Sequence, residues 1–352
     1  MVTWGVAIDN SASTVWFTEQ ISNSVWSFNT KDHEFMKYKL KTSGAFPFGI
    51  TVDSNQNIWF TELEGNKIGE IAANGSLTEL SIPVGGETAP SGITVSNSGV
   101  VWFTLPTVNS IGSFKNGEFE IYNLTSDITE PVGIAVDQGG NVWFTQHGAS
   151  FISEFDPTTH YLRTISSSNN SLTISLPYFC YLDSAGNIWF NEHQGNAEAE
   201  FTPSSNTLVE YFIPSTIPAG NISYMLTSAV SHTGQPWYTE LETGKVGTVN
   251  ITKSTGLSLN LTNYSGPLTL VAGGTSNLSL KVGGSSSVSL RAYVGNFTGN
   301  FSFTFSPDVV QGGRNSILQI AVHNSPPGAY FVTITSKTGS VAVSKIIEIK
   351  VI

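Results

Sequence analysis

One short phrase constrains this chain more than anything else in it. Asn57-Ile58-Trp59-Phe60-Thr61-Glu62 returns as Val15-Trp16-Phe17-Thr18-Glu19, Val101-Trp102-Phe103-Thr104-Leu105, Val142-Trp143-Phe144-Thr145-Gln146, Ile188-Trp189-Phe190-Asn191-Glu192 and Pro236-Trp237-Tyr238-Thr239-Glu240. The tryptophans stand 43, 43, 41, 46 and 48 residues apart. That period fits one four-stranded propeller blade per repeat and is too long and too β-rich for a helical repeat.

The second repeat shows the plan. Gly49-Ile50-Thr51-Val52-Asp53 alternates as an inner strand, Ser54 to Asn57 makes a polar turn, and Ile58 to Thr61 returns. Glu64-Gly65-Asn66 and Asn74-Gly75 then turn the chain into a third and a fourth strand. The other units follow, with the outer strand of the sixth expected at 257–261. Neighbouring residues on a strand face opposite ways, so each Trp should fill one seam between blades and each Phe the other. The Asp residues that end inner strands, Asp9, Asp53, Asp137 and Asp183, should accept backbone hydrogen bonds in the following turn.

From Pro267 the composition changes: Trp disappears, and short alternating runs rich in Ser, Gly, Val and Thr take over, with turns such as Gly312-Gly313 and Pro326-Pro327-Gly328. Seven strands are expected over 267–352, a β-sandwich of immunoglobulin-like size without the inter-sheet disulfide. The expected fold is therefore all-β: a six-bladed, alternatively seven-bladed, β-propeller over 1–266 and an Ig-like β-sandwich over 267–352.

Composition narrows the functions. Charged residues make up 12% of the chain, 15 Lys and Arg against 26 Asp and Glu, which disfavours a phosphate-binding groove and hence nucleic acid. Cys180 is the single cysteine, so neither an intrachain disulfide nor a CxxC zinc site is available, and a buried small hydrophobe is the expected role. No window approaches the length of a membrane-spanning apolar helix. Met1 stands too close to the first strand to leave room for a leader. Asn-x-Ser/Thr sequons occur at Asn74, Asn123, Asn169, Asn221, Asn250, Asn260, Asn263, Asn277, Asn296 and Asn300. With few Lys and many Ser, Thr, Asn and Gly, they point to an extracellular or cell-surface glycoprotein.

The combination Pro47-Phe48-Gly49-Ile50-Thr51-Val52-Asp53, Asn57 to Glu62 and Gly65-Asn66-Lys67-Ile68-Gly69 resembles the repeat of the virginiamycin B lyase (streptogramin lyase) family, over roughly residues 4–250. Pro131-Val132-Gly133-Ile134 and Pro90-Ser91-Gly92-Ile93 carry the same resemblance. It implies a seven-bladed ring, from which the six units counted here depart, and an enzyme that opens a cyclic depsipeptide by eliminative cleavage of its lactone with help from Mg²⁺. The family's catalytic histidines follow Pro in a Pro-His-x-Ile pattern. The matching positions here are Phe48, Ser91, Val132 and Tyr178, with Trp4 and Tyr224 in the first and last units. An elimination needs a positioned base, and none of these side chains supplies one.

The starts of inner strands and the ends of second strands should share one end of the blades. That end would gather Trp4, Phe48, Tyr178, Tyr224, Glu19, Glu62, Gln146 and Glu240 as ligand-binding candidates. Glu192, His193 and His147 are the catalytic candidates, from the paired Gln146-His147 and Glu192-His193. Converging carboxylates and imidazoles suit a divalent ion, Mg²⁺ or Ca²⁺, or acid–base work; solvated loop residues of a repeat are the plainer reading. The leading expectation is a non-catalytic surface protein whose propeller binds a protein or glycan partner and whose sandwich anchors or assembles it. The alternatives are a Mg²⁺-dependent lyase or hydrolase acting on a cyclic peptide ester or glycan, and a structural subunit of a surface layer or filament that self-assembles through the sandwich.

Overall fold

The computed structural model describes residues 3–9, 11–124, 129–166, 175–213, 225–231, 234–240, 244–249, 251, 256–294, 299–338 and 341–352. The chain is all-β. Strands β1 (Thr3–Ile8), β2 (Thr14–Glu19), β3 (Ser24–Asn29) and β4 (Phe35–Lys39) form the first antiparallel meander, and β5 (Pro47–Val52), β6 (Ile58–Glu62), β7 (Lys67–Ile71) and β8 (Leu77–Ser81) the second. The third comprises β9 (Ile93–Val95), β10 (Val101–Leu105), β11 (Ser110–Lys115) and β12 (Glu118–Asn123); the fourth comprises β13 (Pro131–Val136), β14 (Val142–Gln146), β15 (Phe151–Asp156) and β16 (Tyr161–Ser166). The fifth is β17 (Pro177–Leu182), β18 (Ile188–Glu192), β19 (Ala197–Thr202) and β20 (Thr207–Phe212). A sixth has three described strands, β21 (Met225–Val230), β22 (Pro236–Glu240) and β23 (Lys245–Thr248).

The recurrent phrase is the second strand of every meander, and its side chains divide as expected. Phe60 packs with Val25, Leu40 and Ala45 of the preceding meander, whereas Trp59 packs with Ile93 and Phe103 of the following one. Trp102 likewise meets Ile134 and Phe144. Each such ring contributes roughly 1.5–3 kcal/mol by burial. Opposite Phe60 and Phe103 stand Gly69 and Gly112, where a Cβ would lie 2.0 and 2.3 Å from the ring. The flanking repeats depart from the pattern: Phe17 is only partly buried and Trp237 is 47% exposed.

Threonine at the fourth position of the phrase ties meander to meander. Thr18, Thr61 and Thr104 each accept the backbone N–H of Gly5, Gly49 and Gly92 on their own inner strand (2.9, 2.8 and 2.9 Å). Each then donates to the carbonyl of Phe48, Ser91 or Val132 on the next inner strand (2.8, 2.7 and 2.8 Å). In the fifth meander Asn191 does both jobs, accepting from Phe179 N–H at 2.8 Å and donating to the carbonyl of Met225 at 2.5 Å. The glycines permit this close approach, since a Cβ on Gly5, Gly49 or Gly92 would lie 2.5, 2.3 or 2.2 Å from the neighbouring carbonyl oxygen.

The chain parts into two compact units, Met1–Ala149 with Glu154–Leu162, and Ser150–Ser153 with Arg163–Ile352. The expected boundary at 266/267 lies inside the second. There the remaining strands are β24 (Leu259–Leu261), β25 (Leu268–Leu270), β26 (Thr275–Val282), β27 (Ser287–Val294), β28 (Phe301–Ser306), β29 (Val309–Gln311), β30 (Asn315–Val322), β31 (Gly328–Lys337) and β32 (Val341–Val351). They make two sheets, β24-β26-β30-β28 and one containing β32-β31-β27-β29. Leu278, Leu280, Leu318 and Ile320 from one sheet pack with Leu290, Val332, Ile334 and Ile347 from the other.

Two expectations need correction. The stretch 257–261 is not the outer strand of the sixth meander: β24 pairs antiparallel with β26, because buried Leu259 joins the core between the two C-terminal sheets. The strand β29, too short to show an alternating run, was not anticipated. The C-terminal layer also continues a meander: β32 pairs antiparallel with β20, from Thr207↔Lys345 to Tyr211↔Val341, so one sheet runs from β17 through to β29.

Candidate functional site

The pairing register brings the candidate positions together meander by meander. Thr3 pairs with Glu19, Pro47 with Glu62, Pro131 with Gln146, Pro177 with Glu192 and Met225 with Glu240, so the end of each second strand lies beside the start of its inner strand. A register shift follows each of these pairs, as between Pro47 and Ile50, the irregularity that frees the glycine N–H for its threonine.

The side chains, however, turn inward. Glu19, Glu62, Gln146, Glu192 and Glu240 are all buried, against the expectation of solvated groups at a mouth. Glu19 is a turn acceptor, taking the N–H groups of Ile21 at 3.2 Å and Ser22 at 2.7 Å. Glu62 is fully buried, and neither carboxylate oxygen has a hydrogen-bond partner. Burial pushes its carboxyl up to about 7, nearby Glu79 adds to this, and Thr42 and Lys67 oppose it. Gly65 packs directly on Glu62, with room for no Cβ.

Glu192 is held well above the usual carboxylate range by burial and then by Glu210, with Lys337 pulling the other way. Beside it, Glu198 accepts the Tyr181 hydroxyl at 2.6 Å and is pushed up to about 8 by burial, and Glu200 to about 7 by burial and Asp183. These last carboxyls were missed in the sequence, although the alternation Ala197-Glu198-Ala199-Glu200 signals a strand with small residues on one face and acids on the other. His193 stacks on Tyr178, ring centroids 4.2 Å apart, and burial pushes the Tyr178 hydroxyl up to about 12. His147 Nδ1 lies 3.7 Å from Glu130, and burial lowers its pKa while Glu130 opposes. Trp4 and Phe48 pack 5.0 Å apart. Tyr224 lies outside the described residues.

Among the described residues, no group of three or more His, Cys, Asp or Glu side chains stands close enough to hold a metal ion. Magnesium asks for a near-octahedral oxygen set, whereas Glu19 is taken up by the N–H groups of its own turn and Glu62 and Glu192 are buried in separate meanders. Among the described residues, no such oxygen set is assembled for Mg²⁺.

The Asp residues play the part expected of them and one more. Asp53 accepts the N–H groups of Asn55 and Asn57 at 2.8 Å, and its other oxygen accepts the indole N–H of Trp59 at 3.2 Å. Asp137 and Asp183 hold Trp143 and Trp189 in the same way, at 3.0 and 3.1 Å. Cys180 is a buried thiol on β17, as expected. No described helix is long and apolar enough to cross a membrane. Of the sequons, Asn74, Asn123, Asn260, Asn263, Asn277 and Asn300 are exposed, while Asn169, Asn221, Asn250 and Asn296 lie outside the described residues.

No curated protein sequence matches the chain. Among solved structures, a streptogramin B lyase is 24% identical, with 71% of this chain and 83% of that one covered and a TM-score of 0.62. A catalytically inactive histidine-to-alanine variant of virginiamycin B lyase from Staphylococcus aureus, solved with quinupristin, is 20% identical over 91% of this chain and 94% of that one, also at 0.62. The extracellular domain of a putative hybrid two-component system from B. thetaiotaomicron is 14% identical over 99% of this chain and 57% of that one, at 0.52. These likenesses share the propeller-like all-β fold. The family model described as the virginiamycin B lyase family matches residues 4–222, more than half of the chain, and the protein belongs to that family.

Proposed function

We propose that this chain is a non-catalytic, secreted or cell-surface member of the virginiamycin B lyase family, a propeller that binds a protein or glycan partner. One observation carries the reading: the places that register beside the second-strand ends, where the family has its histidines, hold Trp4, Phe48, Val132 and Tyr178, with Ser91 in the third meander. None is a base at neutral pH, and the acids beside them are buried, Glu19 holding the N–H groups of its own turn. The surface setting draws on the exposed sequons and on the extracellular receptor domain among the structural neighbours.

The competing reading, a lyase or hydrolase, draws on Glu62, whose carboxyl near 7 suits general acid–base work. Its complete burial leaves it no route to a substrate in this conformation.

The test is incubation of the purified chain with quinupristin, with and without Mg²⁺, followed by chromatography and mass spectrometry. Elimination would give a linear product of unchanged mass and altered retention. The expectation is intact quinupristin throughout. Turnover that disappears in Glu192→Ala or His193→Ala would overturn the proposal.

A further inference from the structure

The opposite end of the first two meanders carries an open cleft. Between the β1–β2 turn and the β7–β8 turn lies a cleft of about 370 Å³, with Trp16 and Tyr38 among its walls and Asp9, Ser11, Gln56 and Ala73 around it. The two rings stand 5.4 Å apart at 36°. Ser11 and Ala73 are exposed, so the cleft opens to solvent at its rim.

Its origin is a change in the repeat. At the next two seams the third strand of the following meander lays a phenylalanine against the tryptophan, Phe114 at 5.8 Å from Trp59 and Phe155 at 6.3 Å from Trp102. Phe114 pairs with Val101, the residue before its own meander's Trp; the residue that pairs with Ile58 in the same register is Ile71, followed by the small Ala72 and Ala73. No ring covers Trp16 from that side. The indole differs as well. Trp59, Trp143 and Trp189 donate to the Asp of their own turn, whereas Asp9 gives its Oδ2 to the hydroxyls of Ser11 and Ser13 at 2.9 and 3.1 Å. Asp9 Oδ1 takes the N–H groups of Ser13 and Thr14. Trp16 is accordingly only partly buried, where its equivalents in the second to fifth meanders are at most 7% exposed.

We infer that this cleft binds a neutral mono- or disaccharide, stacked on Trp16 and Tyr38 and hydrogen-bonded by Gln56 and Ser11. Its volume sits at the small end of ligand pockets, about 300–1,000 Å³. Two aromatic faces with amide and hydroxyl groups at the edge match the C–H face and hydroxyl rim of a pyranose. Asp9 is the charged side chain of the lining; its negative charge repels a phosphate, and four hydrogen bonds within its own turn direct both its oxygens at Ser11, Ser13 and Thr14 rather than at a ligand. The site is distinct from the histidine positions of the family, which lie at the other end of the strands, and does not depend on whether the chain is catalytic.

The experiment is saturation-transfer NMR on the full chain with methyl glycosides of glucose, galactose, mannose, N-acetylglucosamine and N-acetylgalactosamine, the disaccharides lactose and cellobiose, and choline as a cationic probe. At least one saccharide is expected to receive transfer at its ring-face protons. Ala73→Trp, which plugs the cleft from an exposed position, should abolish that signal, and Gln56→Asn should weaken binding by about fivefold or more, as loss of a neutral hydrogen bond does. Thermal unfolding checks that Ala73→Trp is folded; if it is not, Ser11→Tyr plugs the rim instead. No transfer to any saccharide, transfer that survives in the plugged variant, or binding of choline alone would overturn the assignment.

Discussion

Thr61→Val isolates the tie between meanders. Valine matches threonine in shape and leaves no cavity, so the change removes one hydroxyl and little else. That hydroxyl accepts from Gly49 N–H at 2.8 Å and donates to the Ser91 carbonyl at 2.7 Å, and Thr61 is fully buried. Neither backbone group can turn to water once the hydroxyl is gone. A buried polar group left unpaired costs about 1–3 kcal/mol; with some relaxation at the carbonyl, the two together should cost about 2–4 kcal/mol. For a cooperative unit of this size, about 2–4 °C per kcal/mol, the midpoint of the first unit should fall by roughly 4–16 °C. Thermal and urea unfolding would measure the loss, and amide exchange at Gly49 would locate it. Thr61→Ser keeps both bonds and loses only a methyl group, so it should fall much less. The reasoning fails if Thr61→Val stays within about 0.5 kcal/mol of wild type with Gly49 still protected, or if serine is as damaging as valine.

Three further changes test the other devices. Glu62 has a folded pKa of about 7, above its ordinary value of 4.5, so the folded state holds the extra proton and stability falls as pH rises between those values. Glu62→Gln should therefore stabilise the protein above pH ~7, by up to about 3 kcal/mol, and give no gain near pH ~4.5; paired urea titrations at the two pH values measure it. Asp137→Ala removes the acceptor of Asn141 N–H at 2.9 Å and of the Trp143 indole at 3.0 Å, and should cost about 2–4 kcal/mol with increased exchange of the indole proton. Gly92→Ala would set a Cβ 2.2 Å from the Val132 carbonyl oxygen, and calorimetry should show a loss of about 1–3 kcal/mol as the two meanders are pushed apart.

Much of the fold was legible because it repeats. Six copies of one phrase at a near-constant period fix the strand order within each meander, and the alternation of Trp and Phe fixes which seam each ring enters. The candidate end of the strands was legible too, since hairpin register alone places Glu62 beside Pro47. What the sequence did not display is which way those acids turn. Glu recurs at the last position of the phrase as though it were a solvated functional group, but a bulge after each inner-strand start draws the side chain under the following turn, onto Gly65 in the second meander and Gly195 in the fifth. Tertiary approach of this kind leaves no periodic trace.

The same argument separates what the family keeps from what this chain changes. Thr61, Gly49 and Asp53 are required by contacts between backbones only ångströms apart, so they can be exchanged only for residues that make the same bonds; Asn191, with one donor and one acceptor aimed at the same two strands, is such an exchange. Phe48, Ser91 and Val132 enter the staple through their backbone carbonyls, so the staple itself leaves the choice of side chain at these positions open. In this repeat the tie between meanders therefore rests on the backbone of these positions and on the side chains of Thr18, Thr61 and Thr104, while the side chains of Phe48, Ser91 and Val132 answer to other neighbours.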